Sequence, residues 1–309
     1  MKLEPINQTK LYGLTNFFED LMMLHHNQIL PNKILLSGQK GLGKSTLAYH
    51  LINFILSKNE DYNYDCKNFT INPENHSYKL TLNKSNPNLT IIDIDSEKKF
   101  IDISQIRQLI SNLNKSSFNS KPRFVLIDNI EFLNINSVNA LLKVLEEPNS
   151  NIHFILINND KKILPTLLSR CLNFKISLTN RECLNVTNLL LGGKLEEQIN
   201  NDLINYYTTP GNIYLLSNFA KINKLDLSEI NLKELLKIII KESYYKKDLS
   251  IKYLIFELIE FYFRKINFSI STKMSSQYTY FIKKISDTKR FNLDEDSLFM
   301  EFEDKILNG

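Results

Sequence analysis

Cysteines are few in this chain, and their number and spacing do not indicate either of two common kinds of site. The 309 residues include three, Cys66, Cys171 and Cys183, and no C-x-x-C pair occurs. Three scattered cysteines do not indicate a disulfide framework, and without a C-x-x-C pair a zinc knuckle is not indicated, so no zinc is expected. Scattered free cysteines are typical of proteins in a reducing compartment, and we therefore expect a cytoplasmic location.

Long apolar runs are missing as well. No uninterrupted hydrophobic stretch approaches the roughly 20 residues that a membrane-spanning helix needs. The first ten residues, MKLEPINQTK, lack the apolar region of a secretory signal peptide. We therefore expect no membrane partner. Hydrophobic residues make up 43% of the chain and charged residues 23%, which predicts a globular core. The net charge of +4 is compatible with nucleic-acid contact without establishing it.

Glycine is scarce and unevenly distributed. Only eight glycines occur, and three of them are Gly38, Gly41 and Gly43. With Lys44 and Ser45 they fit the pattern G-x-x-x-x-G-K-[ST] of a phosphate-binding loop. Glycines let such a loop curl so that its backbone N–H groups point at phosphate oxygens. Lys44 would then reach the β- and γ-phosphates of ATP, and Ser45 would hold Mg²⁺.

The surroundings of this loop favour the same interpretation. A strand-like run precedes it at 33–38, and a helical pattern follows it at 45–56. The positive N-terminus of that helix would face the phosphates. Thr46, next along the chain, is a further candidate nucleotide-binding residue. The alternative, an incidental glycine-rich turn, would not account for the complete motif in this context.

Five short apolar runs in the first 180 residues predict a buried parallel sheet. The runs are KILLSG (33–38), NLTIIDID (88–95), RFVLID (123–128), IHFILIN (152–158) and CLNFKIS (171–177). Helical patterns separate several of them, at 45–56, 103–113 and 137–147. Strands that alternate with helices predict an α/β domain with right-handed crossovers.

The strand signals end near residue 178, and the domain prediction follows from that change. We predict an α/β domain over 1–178, a small helical domain over 179–223 and an all-helical C-terminal domain over 224–309. The polar, Asn-rich segment 57–87 is interpreted as a long, partly ordered excursion from the sheet, and TTPGN (208–212) as a turn.

Asp128 closes the apolar run RFVLID. An aspartate in this position of a P-loop protein can hold the water shell of Mg²⁺. Taken alone, an aspartate at the end of a strand is more often a turn residue. Because a phosphate loop lies upstream, we favour the magnesium interpretation for Asp128.

The stretch from 127 to 171 resembles the clamp-loader subunits of bacterial DNA polymerase III, which are AAA+ proteins. The motifs that carry the resemblance are NALLKVLEEP (139–148), SRC (169–171), LYG (11–13), the phosphate loop, IDISQIRQL (101–109) and FNLDEDSLF (291–299). The resemblance implies a RecA-like AAA+ P-loop domain, a small helical lid and a helical C-terminal collar that joins five subunits in a ring. It also implies that the ring places a sliding clamp on primed DNA, with ATP and Mg²⁺ as cofactors and the gamma/tau and delta subunits as partners.

Two site residues follow from the resemblance. Arg170, in SRC, would be an arginine finger that projects into the ATP site of an adjacent subunit, where it neutralises charge developing on the γ-phosphate. The alternative for Arg170 is an ordinary surface salt bridge. Asn158, which closes IHFILIN, would be the sensor 1 residue near the γ-phosphate.

The chain departs from active AAA+ motors at two positions. Asn129 occupies the place of the glutamate that polarises the attacking water, and Asn212 that of the lid's sensor 2 arginine. Glu131 is close in sequence to Asn129, but we expect its side chain to point elsewhere. The chain is therefore expected to bind ATP weakly or without efficient hydrolysis, a profile typical of delta-prime subunits. The zinc module of gamma/tau subunits also has no counterpart, since Cys66 is the only cysteine of the segment 57–87.

Alternatives of different classes remain at this point. One is an active ATPase of the gamma/tau type, and another is a P-loop kinase without a role at DNA. The C-terminal runs 261–268 and 280–290 mix aromatic residues with Lys and Arg, and could face DNA. We favour packing in the core for their aromatic residues. Nucleotidyl transfer is expected to reside in another subunit of the polymerase.

Overall fold

The computed structural model describes residues 4–94, 98, 100–115, 119–146, 151–204, 208–247, 249–266, 272–291 and 293–308. These residues form two compact units, Met1–Val186 and Thr187–Gly309. The first combines a sheet with helices, and the second is helical.

A five-stranded sheet forms the centre of the first unit, and its strand order is β2-β3-β4-β1-β5 with every neighbouring pair parallel. The strands are β1 (Lys33–Ser37), β2 (Leu89–Ile92), β3 (Arg123–Ile127), β4 (Ile152–Asn158) and β5 (Leu172–Lys175). All five predicted strands are confirmed. Because parallel strands share one carboxyl edge, the residues that follow β1, β3 and β4 lie side by side.

Helices cover both faces of this sheet. They are α1 (Thr15–His26), α2 (Lys44–Leu56), α3 (His76–Leu82), α4 (Ile103–Leu113), α5 (Ile135–Glu146), α6 (Pro165–Leu168) and α7 (Asn180–Leu191), the last of which runs into the second unit. Alternate residues of β1 enter different cores: Ile34 and Leu36 join the cluster that includes α1 and α2, and Leu35 joins that of α4 and α5. The strands are buried on both faces for this reason, which explains their nearly continuous apolar sequences.

The segment 57–87 is more structured than its polar sequence predicted. It contains α3, and the fully buried Asn75 caps that helix by accepting a hydrogen bond from Tyr78 N at 2.7 Å. The Asn75 amide also donates to the Tyr62 carbonyl at 2.6 Å and accepts from Asn53 Nδ2 at 2.9 Å. The Asn75 side chain therefore both donates and accepts inside the fold, and polarity here does not indicate a loose excursion.

The second unit is built from helices. They are α8 (Leu195–Gln198), α9 (Pro210–Asn223), α10 (Leu232–Lys241), α11 (Tyr244–Lys247), α12 (Leu249–Ile266), α13 (Thr272–Phe291) and α14 (Glu295–Phe302). The TTPGN stretch is the start of α9 and not an isolated turn, because Thr209 caps this helix and Pro210 is its first residue. One buried cluster runs from Leu195 to Leu307 and is rich in aromatic rings.

The expected fold class is confirmed as far as its architecture goes: an α/β domain with a parallel sheet, followed by a helical C-terminal region. The division at residues 178 and 223 into domain, lid and collar stays a prediction. Within the described ranges, none of the helices is both long and apolar enough to span a membrane.

Candidate nucleotide-binding site

The glycine-rich loop lies between β1 and α2, at the carboxyl edge of the sheet. Gly38 has a φ of 149°, and a Cβ atom at this position would lie 2.3 Å from the carbonyl oxygen of Ile176. Gly43 has a φ of 91° and immediately precedes α2. The loop can therefore follow this path only with glycine at 38, and glycine at 43 avoids strain where the helix begins. Gly41 lies between them, also at positive φ.

Lys44 is the first residue of α2 and is only 3% exposed. Its Nζ donates to the carbonyl oxygens of Gly38, at 2.8 Å, and Gln39, at 2.6 Å. Burial lowers the pKa of Lys44 to about 8, with the carboxylates of Asp128 and Glu131 opposing that shift. A buried ammonium whose hydrogen-bond partners are neutral carbonyls is well suited to receive a phosphate, since an anion would supply the missing opposite charge.

Ser45 and Asp128, the two predicted magnesium ligands, are brought together by the fold. Ser45 Oγ donates to Asp128 Oδ2 at 2.5 Å, across 83 residues of sequence. Burial raises the pKa of Asp128 to about 6, and the Ser45 hydrogen bond opposes this shift. Hydroxyl and carboxylate oxygens are ligands that Mg²⁺ accepts when phosphates and waters complete its shell. Thr46, the third residue of α2, is partly exposed beside them.

Asn158 is the last residue of β4, and it lies in register with Ser37, which leads into the glycine-rich loop. Its backbone carbonyl accepts a hydrogen bond from Gly38 N at 3.3 Å, and its side-chain Nδ2 donates to the Lys161 carbonyl at 2.9 Å. The amide is 6% exposed. The strand pairing therefore places a buried amide next to the phosphate loop, where the sequence predicted it.

A chain of side-chain hydrogen bonds connects the carboxyl ends of three strands. Asn129, which follows β3, donates from Nδ2 to Asp93 Oδ1, which follows β2, at 2.8 Å. Asn159, which follows β4, donates from Nδ2 to Asn129 Oδ1 at 2.8 Å and to Glu131 Oε1 at 3.0 Å. The Asn129 amide is thus held on both sides, and an amide cannot take a proton from water at neutral pH.

The expectation that the Glu131 side chain points elsewhere is wrong. Asn129 adopts a left-handed conformation with a φ of 55°, and a 3₁₀ turn, Ile130–Phe132, follows it. This irregular backbone returns the Glu131 carboxylate to the hydrogen-bonded chain at the strand ends. Reasoning from a regular backbone missed Glu131. The signal that could have found it is Asn129 itself, since asparagine is enriched in the left-handed region.

Arg170 lies just after α6 and has a different setting from the phosphate-loop residues. Nη1 donates to the Thr166 carbonyl at 2.9 Å, and Nη2 donates to Glu146 Oε1 at 2.6 Å. Its side chain is 31% exposed. Neither partner belongs to the phosphate loop or to the Ser45–Asp128 pair. The guanidinium is thus an accessible positive group, and its hydrogen-bond partners are not residues of the chain's own phosphate site.

Asn212, at the predicted sensor 2 position, lies in the first turn of α9. Its Nδ2 donates to Glu257 Oε2 at 2.7 Å, within the second unit. The amide carries no charge and engages an acidic partner, so it does not replace the positive charge of an arginine.

Matches to known proteins agree with this geometry. The family model for DNA polymerase III, delta subunit, matches residues 13–180, which is more than half of the chain. The chain is 34% identical over 149 residues to DNA polymerase III subunit gamma of Buchnera aphidicola subsp. Schizaphis graminum, covering 48% of this chain and 39% of that protein. It is 29% identical over 167 residues to subunit delta' of Buchnera aphidicola subsp. Baizongia pistaciae, covering 52% and 48%.

Among solved structures, a DNA polymerase III gamma subunit-related protein from Thermotoga maritima aligns over 94% of this chain and 92% of its own, at 19% identity and a TM-score of 0.45.

The chain spans less than half the length of the two curated relatives named above.

Proposed function

The chain belongs to the DNA polymerase III, delta subunit family, and we propose that it is a delta-prime-like subunit of the clamp loader. In this role it helps to place the sliding clamp on primed DNA, together with gamma/tau and delta subunits. Its location is the cytoplasm. Residues 179–223 act as the small helical lid domain of the family, and residues 224–309 act as the collar that joins the subunits of the ring.

The chain's own site holds ATP with Mg²⁺ and turns it over poorly. Gly38, Gly41, Gly43, Lys44, Ser45 and Thr46 bind the phosphates, Ser45 and Asp128 hold Mg²⁺, and Asn158 lies beside the γ-phosphate. The observation that carries the proposal is the position of Asn129, whose amide is fixed between Asp93 and Asn159. Because this group orients water without accepting its proton, the hydrolytic step lacks its general base.

Arg170 serves the neighbouring subunit. A guanidinium placed against a γ-phosphate stabilises the charge that develops as the terminal phosphoryl group leaves, without any need for proton transfer. The accessible position of Arg170, apart from the chain's own phosphate loop, supports a role in trans.

An active gamma/tau-type ATPase is the second candidate, and one observation favours it. The Glu131 carboxylate accepts hydrogen bonds from Asn159 at the same strand ends as Asn129. A carboxylate there could take the proton that Asn129 cannot. The matched family and the two curated relatives named above are polymerase III subunits, which disfavours a P-loop kinase.

ATP binding and turnover by the purified chain test the proposal. We expect measurable binding that Lys44→Ala abolishes, with negligible turnover in the presence of primed DNA. Lys40→Ala is the matched control, because it removes a positive charge from the same loop but leaves the ammonium that bonds to Gly38 and Gln39. Turnover that primed DNA stimulates and that Glu131→Gln eliminates would establish the gamma/tau-type alternative.

A further inference from the structure

The guanidinium of Arg170 is held by two different helices of its own unit. Glu146 is the last residue of α5, and Thr166 lies in α6. Each of them accepts from a different Nη atom, at 2.6 Å and 2.9 Å. A guanidinium carries five N–H donors in one plane. The two contacts therefore fix the orientation of the group and still leave donors for a phosphate.

The backbone on both sides of Arg170 is anchored as well. Leu167 is 1% exposed, and Cys171 packs against the same core cluster. Burial raises the pKa of the Cys171 thiol to about 11, so the thiol stays neutral and acts through packing. The end of α5 is secured by Lys33 Nζ, which donates to the Leu145 carbonyl at 3.0 Å. The carboxylate and the guanidinium thus both extend from fixed backbone.

We propose that Glu146 is a positioning residue for Arg170, holding its guanidinium in the orientation that meets the γ-phosphate of ATP bound to an adjacent subunit. This inference rests on the proposed role of Arg170 as a finger. A free arginine side chain samples many rotamers, and ordering it when the subunits meet costs conformational entropy. An arginine oriented beforehand avoids that cost, and small errors in the placement of such a group reduce rates strongly.

The same pair contributes little to the fold. The side chains of Arg170 and Glu146 are 31% and 53% exposed, and ion pairs this accessible to water are weak. Removal of the Glu146 carboxylate should therefore alter the orientation of the guanidinium while the domain remains folded.

The test uses the full chain assembled with gamma/tau and delta subunits, the sliding clamp and primed DNA, with ATP turnover measured across ATP concentrations. The variants are Glu146→Ala, Glu146→Gln, Arg170→Ala and the double variant Glu146→Ala/Arg170→Ala. Glu197→Ala is the matched control, because it removes another exposed ion pair, to Lys194 at 3.5 Å, from a different unit. Size-exclusion chromatography checks that every variant assembles.

We expect Glu146→Ala to lower kcat by at least half of the Arg170→Ala loss on a logarithmic scale, with KM for ATP within about twofold of wild type. Glu146→Gln should recover much of the loss, since its amide oxygen accepts from the guanidinium in the same place. The double variant should be no worse than Arg170→Ala, because the two residues act as one unit.

Two results overturn the inference while the finger assignment stands. The first is that Glu146→Ala turns over ATP as the wild type does. The second is that Glu146→Ala turns over ATP faster than the wild type, which would mean that Glu146 holds Arg170 away from the phosphate. If Arg170→Ala itself turns over ATP as the wild type does, the finger assignment fails, and the inference falls with it.

Discussion

The two units of this chain differ in the polar side chains that they bury. Both enclose aromatic rings: Phe18 and Phe124 are fully buried in the first unit, and Phe281 and Phe302 in the second. The buried lysine and the buried histidine, Lys44 and His50, both lie in the first unit, and each has hydrogen-bond partners there. All five histidines of the chain lie before residue 187.

Both units gain packing energy from buried apolar clusters, and the first also encloses a charged and a titratable side chain. A buried polar group stabilises a fold only when its hydrogen bonds are complete, so the first unit tolerates few changes inside. Aromatic burial needs no such matching and contributes in proportion to area. We therefore expect both units to respond to lost volume, and the first to respond also to protonation of a buried group.

The largest effect is expected in the aromatic core of the second unit. The Phe302 ring lies 5.5 Å from that of Phe281 and 5.6 Å from that of Phe263, measured between centroids. Phe302→Ala should lower the free energy of unfolding by about 3 to 5 kcal/mol, because it leaves a cavity among rigid rings. Met300→Ala, in the same helix but 58% exposed, is the control and should stay within about 0.5 kcal/mol. Equal effects in urea unfolding would contradict the assignment of this core.

The next effect is a pH dependence confined to the first unit. His50 is fully buried, with its ring nitrogens 2.8 Å from Tyr64 Oη and 3.1 Å from the Gln8 carbonyl. Burial lowers the pKa of His50 to about 4, from 6.5 in the unfolded chain. Between these values this site binds more protons in the unfolded state, so the stability that the neutral His50 contributes is complete above pH 6.5 and is lost as the pH drops toward 4. The loss should reach about 3 kcal/mol.

Hydrogen exchange at single amides, corrected for intrinsic rates, separates the two units in this experiment. Asp128 opposes the His50 effect in the same unit, because its raised pKa stabilises the folded state as the pH falls below about 6. The His50 contribution is therefore measured as the difference between the wild type and His50→Gln: between pH 6.5 and 4.5 the first unit of the wild type should lose more protection than that of the variant, and the second unit should show no such difference. His76→Gln, at an exposed position, should behave as the wild type does. The same pH dependence in the wild type and His50→Gln would contradict the role of His50.

A smaller effect is expected at the strand ends of the first unit. Asn129→Asp replaces the amide that donates to Asp93 with a second carboxylate, and we expect a loss of about 1 kcal/mol at pH 7. The exchanged pair Asp93→Asn/Asn129→Asp restores a donor and an acceptor and should recover that loss in urea unfolding. If the exchanged pair is less stable than Asn129→Asp alone, the hydrogen bond between residues 93 and 129 does not stabilise the fold.

The smallest effect on stability is expected at Arg170. Its ion pair with Glu146 is exposed to water, so Arg170→Ala should change the free energy of unfolding by less than about 1 kcal/mol. Thermal unfolding of the two proteins side by side measures this. A large loss would make Arg170 a structural residue and would support the ordinary salt-bridge alternative.

Much of the first unit could be predicted from the sequence, because its strands and its glycine-rich loop are encoded by short, continuous stretches of residues. The five apolar runs became the five strands, and the glycine pattern became a loop in which Gly38 cannot carry a side chain. The groups that were missed depend on contacts between distant residues or on irregular backbone. Glu131 returns to the site through the left-handed Asn129, Asn75 is buried by partners outside its helix, and Glu146 reaches Arg170 across 24 residues.

We propose that this chain uses its phosphate site to bind ATP without efficient hydrolysis, and that its Arg170 contributes to hydrolysis in an adjacent subunit. ATP turnover by the assembled clamp loader tests it most directly, with Lys44→Ala or Arg170→Ala introduced into this chain alone. We predict that Arg170→Ala lowers turnover strongly, whereas Lys44→Ala leaves most of it in place. Turnover that Lys44→Ala abolishes and Arg170→Ala spares would contradict the claim and make this chain a motor in its own right.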